Sequence, residues 1–136
     1  MDDALLAAYR ATAYRVRLTD GGWATIRVDE ALPSALASLA GPSPWAFITA
    51  WNPHSRPLPR TTNRRAQRAL LEELRHLPAM VAMRPGSGVG PDGWREPGLF
   101  VVGPDPARLD SLARRYEQNA YVHGQDSFPA RLRLLR

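Results

Sequence analysis

The chain has 136 residues, 44% apolar and 23% charged, with no cysteine and a formal net charge of +5. That length suits a single domain over residues 1–136 with one proper core, and the composition argues against general disorder. No apolar run approaches the ~20 residues a bilayer crossing takes, and the absence of cysteine excludes disulfides, thiolate metal ligands and a cysteine nucleophile.

Every one of the 18 basic residues is arginine, and alanine and proline are abundant, as GC-rich coding produces. Arginine's high pKa then raises the isoelectric point without implying a polyanion partner. The charges are spread along the chain rather than gathered in one block, so nucleic acid is not the expected partner. The acidic start Met1-Asp2-Asp3 is unlike a secretory signal, and a cytoplasmic location is expected.

In chain order, Asp3 can cap a first helix with Leu5, Leu6 and Tyr9 on one face, ending before Thr12. Tyr14, Val16 and Leu18 alternate with Arg15, Arg17 and Thr19, the period of a half-buried strand. Asp20-Gly21-Gly22 is a tight turn, and Ala24, Ile26 and Val28 resume the alternation, so a hairpin is predicted. Pro33 opens a short helix carrying Leu36 and Leu39, which Gly41-Pro42 stops. Trp45 to Trp51 is nearly continuous apolar sequence, as in a central strand covered on both faces.

Thr61 or Thr62 can cap a helix running to about His76, with Ala66, Leu70, Leu74 and Leu77 inward and Arg68 and Glu72 at pairing distance. Ala79 to Met83 can form a strand. Residues 84–97, "RPGSGVGPDGWREP", read as a long irregular segment, and Leu99 to Val102 as a buried strand. Asp105-Pro106 is a carboxylate cap followed by proline at the first helical position. Leu109, Leu112, Ala113 and Tyr116 follow at helical spacing, and Asn119 can end that helix in the left-handed conformation. Ala120 to His123 reads as a strand, and the final "ARLRLLR" as a last strand or a loose tail. Together these elements predict one α+β domain, a mixed and largely antiparallel sheet with three or four helices.

The polar residues cluster where apolar strands end. Asn52, His54 and Ser55 follow the strand that closes at Trp51, while Trp94 and Glu96 precede another. Trp94 either covers the core edge or forms a flat wall for a ligand; Glu96 either pairs with an arginine or serves as an acid–base group with a raised pKa. His54 is either a surface histidine after a proline or, with Ser55 and Glu96, part of a nucleophile–base–carboxylate set that no spacing enforces. The "GSGVG" glycines, Gly88 among them, read as a structural turn in preference to a phosphate cradle, because neither a following helix nor a P-loop lysine is present. Gln118 and Asn119 fall at the same kind of rim. Asn63 and Arg64 can offer donors to an anion at a helix start, where Asn63 can equally serve as a cap alone. The three histidines show no metal-ligand spacing, so no metal site is expected, and no cofactor is implied.

Tyr9-x-x-Thr12-x-Tyr14, "FITAWNPHS", Asn63-Arg64, "GSGVGPDGWRE" and "EQNAYV" together resemble a bacterial family of uncharacterised proteins, DUF3293, from about Tyr9 to about His123. One departure is Gly98, where the family pattern leads one to expect serine. The resemblance carries no activity; it implies only that these motifs belong together. The reading favoured by the residues is a pocket for a small polar or anionic ligand, built from Trp51, Asn52, His54, Ser55, Asn63, Arg64, Gly88, Trp94, Glu96, Gln118 and Asn119. A rival is a protein or nucleic-acid interaction module using Arg56, Arg60, Arg64, Arg65 and Arg68 with a tryptophan anchor. A hydrolase using His54 or Glu96 comes third.

Overall fold

The first hairpin follows directly from its period-two pattern. In the computed structural model, which describes residues 1–135, β1 (Ala13–Arg17) buries Tyr14 and Val16, and β2 (Trp23–Ile26) buries Ala24 and Ile26. Gly21 supplies a φ of 93° in the turn, which Asp20 closes by accepting from the Gly22 N–H at 2.8 Å. The preceding helix α1 (Asp3–Ala11) is capped by Asp2 rather than Asp3, since it is the Asp2 carboxylate that accepts from the Leu5 N–H at 2.7 Å. Its Leu5, Leu6 and Tyr9 are only half-buried.

Helix α2 (Ser34–Ala40) ends at Gly41, φ 55°. So short a helix turns one stripe inward, Leu36 and Ala40 at i and i+4, and leaves Leu39 exposed. The apolar run gives β3 (Trp45–Ile48), with all four side chains buried, and stops three residues earlier than expected. Helix α3 (Arg60–Arg75) starts after Pro59 without a threonine cap and buries Leu70 and Leu74. Glu72 lies 3.5 Å from Arg75 in an ion pair one turn along the helix.

The principal correction concerns residues 84–97. They are not an irregular loop: β4 (Ala82–Val89) and β5 (Arg95–Val102) pair along their whole length, leaving only residues 90–94 as the turn. Glycines and Pro85 argue against a strand on propensity, yet Gly86 and Gly98 are what the sheet packing requires. A Cβ on Gly86 would stand 2.3 Å from the Arg15 carbonyl oxygen, and one on Gly98 the same distance from Phe47 Cε1. Residues 86–89 of "GSGVG" are therefore strand, and only Gly90 belongs to the turn. The same contact accounts for Gly98 in place of serine: the Phe47 ring fills the space a side chain would need.

Helix α4 (Pro106–Arg115) starts as read, with Asp105 accepting from the Arg108 N–H at 2.9 Å. The left-handed residue that ends it is Glu117 (φ 56°), not Asn119, because the Gln118 N–H reaches back to the Ala113 carbonyl at 2.9 Å. Strand β6 (Ala120–Gly124) follows, and the C-terminal segment is a strand, β7 (Arg131–Leu134); Arg136 lies outside the described residues.

The seven strands run in the order β2-β1-β4-β5-β3-β6-β7, antiparallel at every pairing, giving a curled sheet with four helices, an α+β fold. Tyr14, Val16, Phe47, Phe100 and Val122 pack on one face with Leu36 of α2. On the other, Ile48, Leu99, Val101 and Tyr121 meet Leu70 and Leu74 of α3 and Leu109 and Leu112 of α4. Among the described residues no helix is long and apolar enough to cross a membrane.

Candidate functional site

Where β3 leaves the sheet its backbone loses ladder partners, and buried N–H and C=O groups must be satisfied elsewhere. Side chains from three elements do this. Gln67 Oε1, on α3, accepts from the Ala50 N–H at 2.8 Å, and Asn63 Oδ1 accepts from the Asn52 N–H at 2.9 Å. Gln118 Nε2 donates to the Trp51 carbonyl at 3.2 Å, while the Thr49 hydroxyl donates to the Pro97 carbonyl at 2.7 Å. The exit is thus anchored to α3, to the end of α4 and to β5.

Beyond Trp51 the chain makes a tight helical turn, Pro53–Ser55, in which Asn52, His54 and Ser55 all take left-handed backbone angles, φ 47°, 56° and 59°. Each such residue other than glycine costs on the order of 1–2 kcal/mol, and strain of this kind persists only where its surroundings over-determine it. Here the His54 N–H donates to the Glu117 carbonyl at 2.7 Å, and the Ser55 N–H to the Asn52 carbonyl at 2.9 Å. Asn52 is the hub. Its Oδ1 accepts from Asn63 Nδ2 (2.7 Å) and from the Leu58 N–H (3.0 Å), and its Nδ2 donates to Glu96 Oε1 at 2.9 Å. The strand-exit motif and the "WRE" motif therefore meet through a direct hydrogen bond.

Glu96 reaches that position because β5 places it opposite Gly88 of β4, which in turn lies opposite Tyr14 of β1. The absent side chain of Gly88 hollows the floor of a cavity of about 410 Å³. Leu5, Ala8 and Tyr9 of α1 cover it; Phe47, Thr49 and Trp51 form one wall, and Trp94 and Pro97 another. Ala8, Ser55, Pro57, Pro91, Asp92 and Trp94 are the exposed members of the lining and mark its mouth.

The electrostatics follow from burial. Desolvation raises the Glu96 carboxyl from 4.5 to about 7, against the Asn52 hydrogen bond that favours its charged form. Burial likewise raises the phenols of Tyr9 and Tyr14, each reinforced by the Glu96 charge; the Ser55 hydroxyl pulls Tyr9 the other way.

Of the residues expected at the site, Trp51, Asn52, Ser55, Gly88, Trp94, Glu96 and Gln118 line this cavity. Asn63 stands behind Asn52, buried, and organises the turn. Asn119 donates through Nδ2 to the Ser55 hydroxyl at 2.9 Å without lining the cavity itself. His54 is also outside the lining, and the carboxylate paired with its Nε2, at 3.6 Å, is that of Glu117. Arg64 is exposed on α3 with Arg60, Arg65 and Arg68, and Arg56 is exposed before the helix; none of them faces the cavity. Among the described residues no three His, Asp or Glu side chains gather to hold a metal ion. Tyr9, Thr12, Thr49 and Tyr121 were not expected in the lining; the polar-aromatic spacing of Tyr9, Thr12 and Tyr14 at the helix–strand junction is the signal that could have found the first two.

Fold and site together define an antiparallel α+β domain whose strand exit and central hairpin enclose an aromatic-walled cavity with one half-buried carboxyl. The chain belongs to the family described as "Protein of unknown function (DUF3293)", which matches residues 48–121. That span takes in the exit turn, α3, the β4–β5 hairpin and α4, and stops short of Tyr9, Thr12 and Tyr14. No curated protein and no solved structure matches the chain.

Proposed function

We propose that this domain binds a small polar molecule in the cavity beneath α1. The observation that carries the reading is the strained turn at Asn52, His54 and Ser55, held by a hydrogen-bond network that ends on the cavity carboxyl. Strain that the surrounding structure is built to maintain is characteristic of ligand clamps. A volume of about 410 Å³ falls in the range of small-molecule sites, and so does a largely apolar wall with a few convergent polar groups. The aromatic rings would stack on a planar or apolar portion of the ligand, while Asn52, Ser55, Glu96 and Gln118 would orient its polar end. A bacterial origin, from the family resemblance, and a cytoplasmic location, from the acidic Met1-Asp2-Asp3 start, belong to the same proposal.

The interaction-module alternative has its exposed arginines on α3, but they are separated from the cavity. The hydrolase alternative is weakened by the pairing of His54 with Glu117 at 3.6 Å, outside the cavity lining.

A thermal-shift screen of polar metabolites on the wild type and on Gly88→Leu tests the reading. A Cβ at Gly88 meets only ordinary contacts, 3.5 Å from Thr12 Cγ2, so a side chain can start there without a backbone clash, and leucine is expected to occupy part of the cavity. A compound at a hundred times its Kd should stabilise the wild type by about 2.7 kcal/mol and leave the variant unmoved. Equal stabilisation of both proteins would place binding elsewhere.

A further inference from the structure

We propose that the cavity recognises an organic cation, a quaternary or protonated ammonium group on a small apolar body, with Glu96 as its counter-charge. This rests on the small-molecule reading above and assigns the chemistry of the ligand.

The charge distribution points there first. The chain carries 18 arginines and a net charge of +5, yet among the described residues no arginine or histidine lines the cavity. Among the described residues the charged members of the lining are Glu96 and, at the mouth, Asp92, whose Oδ1 accepts from the Trp94 N–H at 3.1 Å. An anionic ligand would meet carboxylates with no compensating cation.

The second observation is the state of Glu96 itself. Asn52 Nδ2 occupies Oε1, and among the described residues no basic side chain forms an ion pair with this carboxyl and no second hydrogen bond reaches it. A carboxylate withdrawn from water without a counter-charge is costly. The empty protein meets that cost by holding the proton up to about pH 7; a bound cation would supply the missing charge.

The walls are the third. Tyr9, Tyr14, Trp51 and Trp94 line the same cavity as the carboxyl and offer electron-rich rings, the surface that desolvated ammonium groups prefer.

The titratable groups that line the cavity with Glu96 are Tyr9 from α1, Tyr14 from β1, Tyr121 from β6 and Asp92 from the hairpin turn, beside the non-titrating Asn52. The three phenols are pushed upward and stay neutral at physiological pH. Cation affinity should therefore follow ionisation of Glu96. From a pKa of about 7, its ionised fraction changes about 30-fold between pH 5.5 and 8, and the apparent affinity scales with that fraction.

The test is calorimetric titration with three probes sharing one ring: benzyltrimethylammonium, 2-phenylethanol and phenylacetate. At pH 8 the cation should bind at least tenfold tighter than the other two and weaken about 30-fold by pH 5.5. Glu96→Gln should abolish both the preference and the pH dependence, while Asp92→Asn should retain them. If 2-phenylethanol or phenylacetate binds as tightly as the cation at pH 8, the cation assignment is overturned and the small-molecule reading stands. If none of the three binds, both fall.

Discussion

Replacing Glu96 with glutamine should stabilise this protein at alkaline pH and do little at acid pH. The amide keeps an oxygen where Oε1 accepts from Asn52 Nδ2, so the hub hydrogen bond survives. What disappears is the cost of holding a charge in a poorly hydrated site. Burial raises the carboxyl from 4.5 to about 7 in the folded protein. Between those values the native state holds a proton that the unfolded chain has released, so stability falls as pH rises and levels off above pH 7. At ~1.4 kcal/mol per pH unit the full loss would be about 3 kcal/mol; with part of the carboxyl in contact with water, about 2 kcal/mol is the expected figure. His123, whose pKa is lowered by burial, acts in the opposite sense as pH rises toward its ordinary value. Comparing wild type and variant at each pH cancels that contribution. Urea unfolding at pH 5, 6, 7 and 8 should give stabilities within about 0.5 kcal/mol of each other at pH 5 and a glutamine variant ahead by about 2 kcal/mol at pH 8. A difference that does not change with pH would refute the reasoning. So would a variant that is weaker at pH 8 than at pH 5, since a positive partner for the carboxylate would produce that result.

Three further outcomes are expected. Asn63→Ala removes hydrogen bonds to the Asn52 N–H, the Asn52 side chain and the Leu58 carbonyl and should lower stability by about 2–4 kcal/mol in urea, whereas Arg64→Ala should stay within about 0.5 kcal/mol of wild type. His54→Gly should be more stable than His54→Ala by about 1 kcal/mol in the same assay, because glycine takes a left-handed backbone without strain and alanine does not. Gly98→Ala drives a Cβ into the Phe47 ring and should cost about 1–3 kcal/mol, most of it recovered when Phe47→Leu is added, as a double-mutant cycle would show.

Much of the fold is legible wherever one local rule dominates. The alternation at Tyr14 and Val16, the Asp105-Pro106 start and the continuous apolar run at Trp45 each specify their element without help from the rest of the chain. The β4–β5 hairpin was hidden because its glycines answer to contacts distant in sequence, the Arg15 carbonyl and the Phe47 ring, and locally they read as a loop. Helix termini slipped by a residue or two for a related reason: Asp2 and Asp3 are chemically equivalent caps, and only geometry chooses between them. At the site, the meeting of Asn52 and Glu96 was foreseeable, since both flank apolar strands expected to be neighbours. The burial of Asn63 and the role of Gln67 were not, because a polar residue on a helix gives no sign that it will be turned inward to receive another segment's unpaired N–H. Nor does an amphipathic α1 say what its apolar face covers.

The four tryptophans allow the small-molecule claim to be tested in one spectrum. Trp51 and Trp94 line the cavity, Trp45 is sealed in the core against Phe100, and Trp23 lies on the edge strand beneath Arg15 and Arg17. Titrating benzyltrimethylammonium at pH 8 while recording the indole N–H resonances should shift those of Trp51 and Trp94 along one saturable curve and leave Trp23 and Trp45 in place. A saturable shift at Trp23 with Trp51 and Trp94 unmoved would contradict the assignment and move binding to the arginine-flanked edge of the sheet.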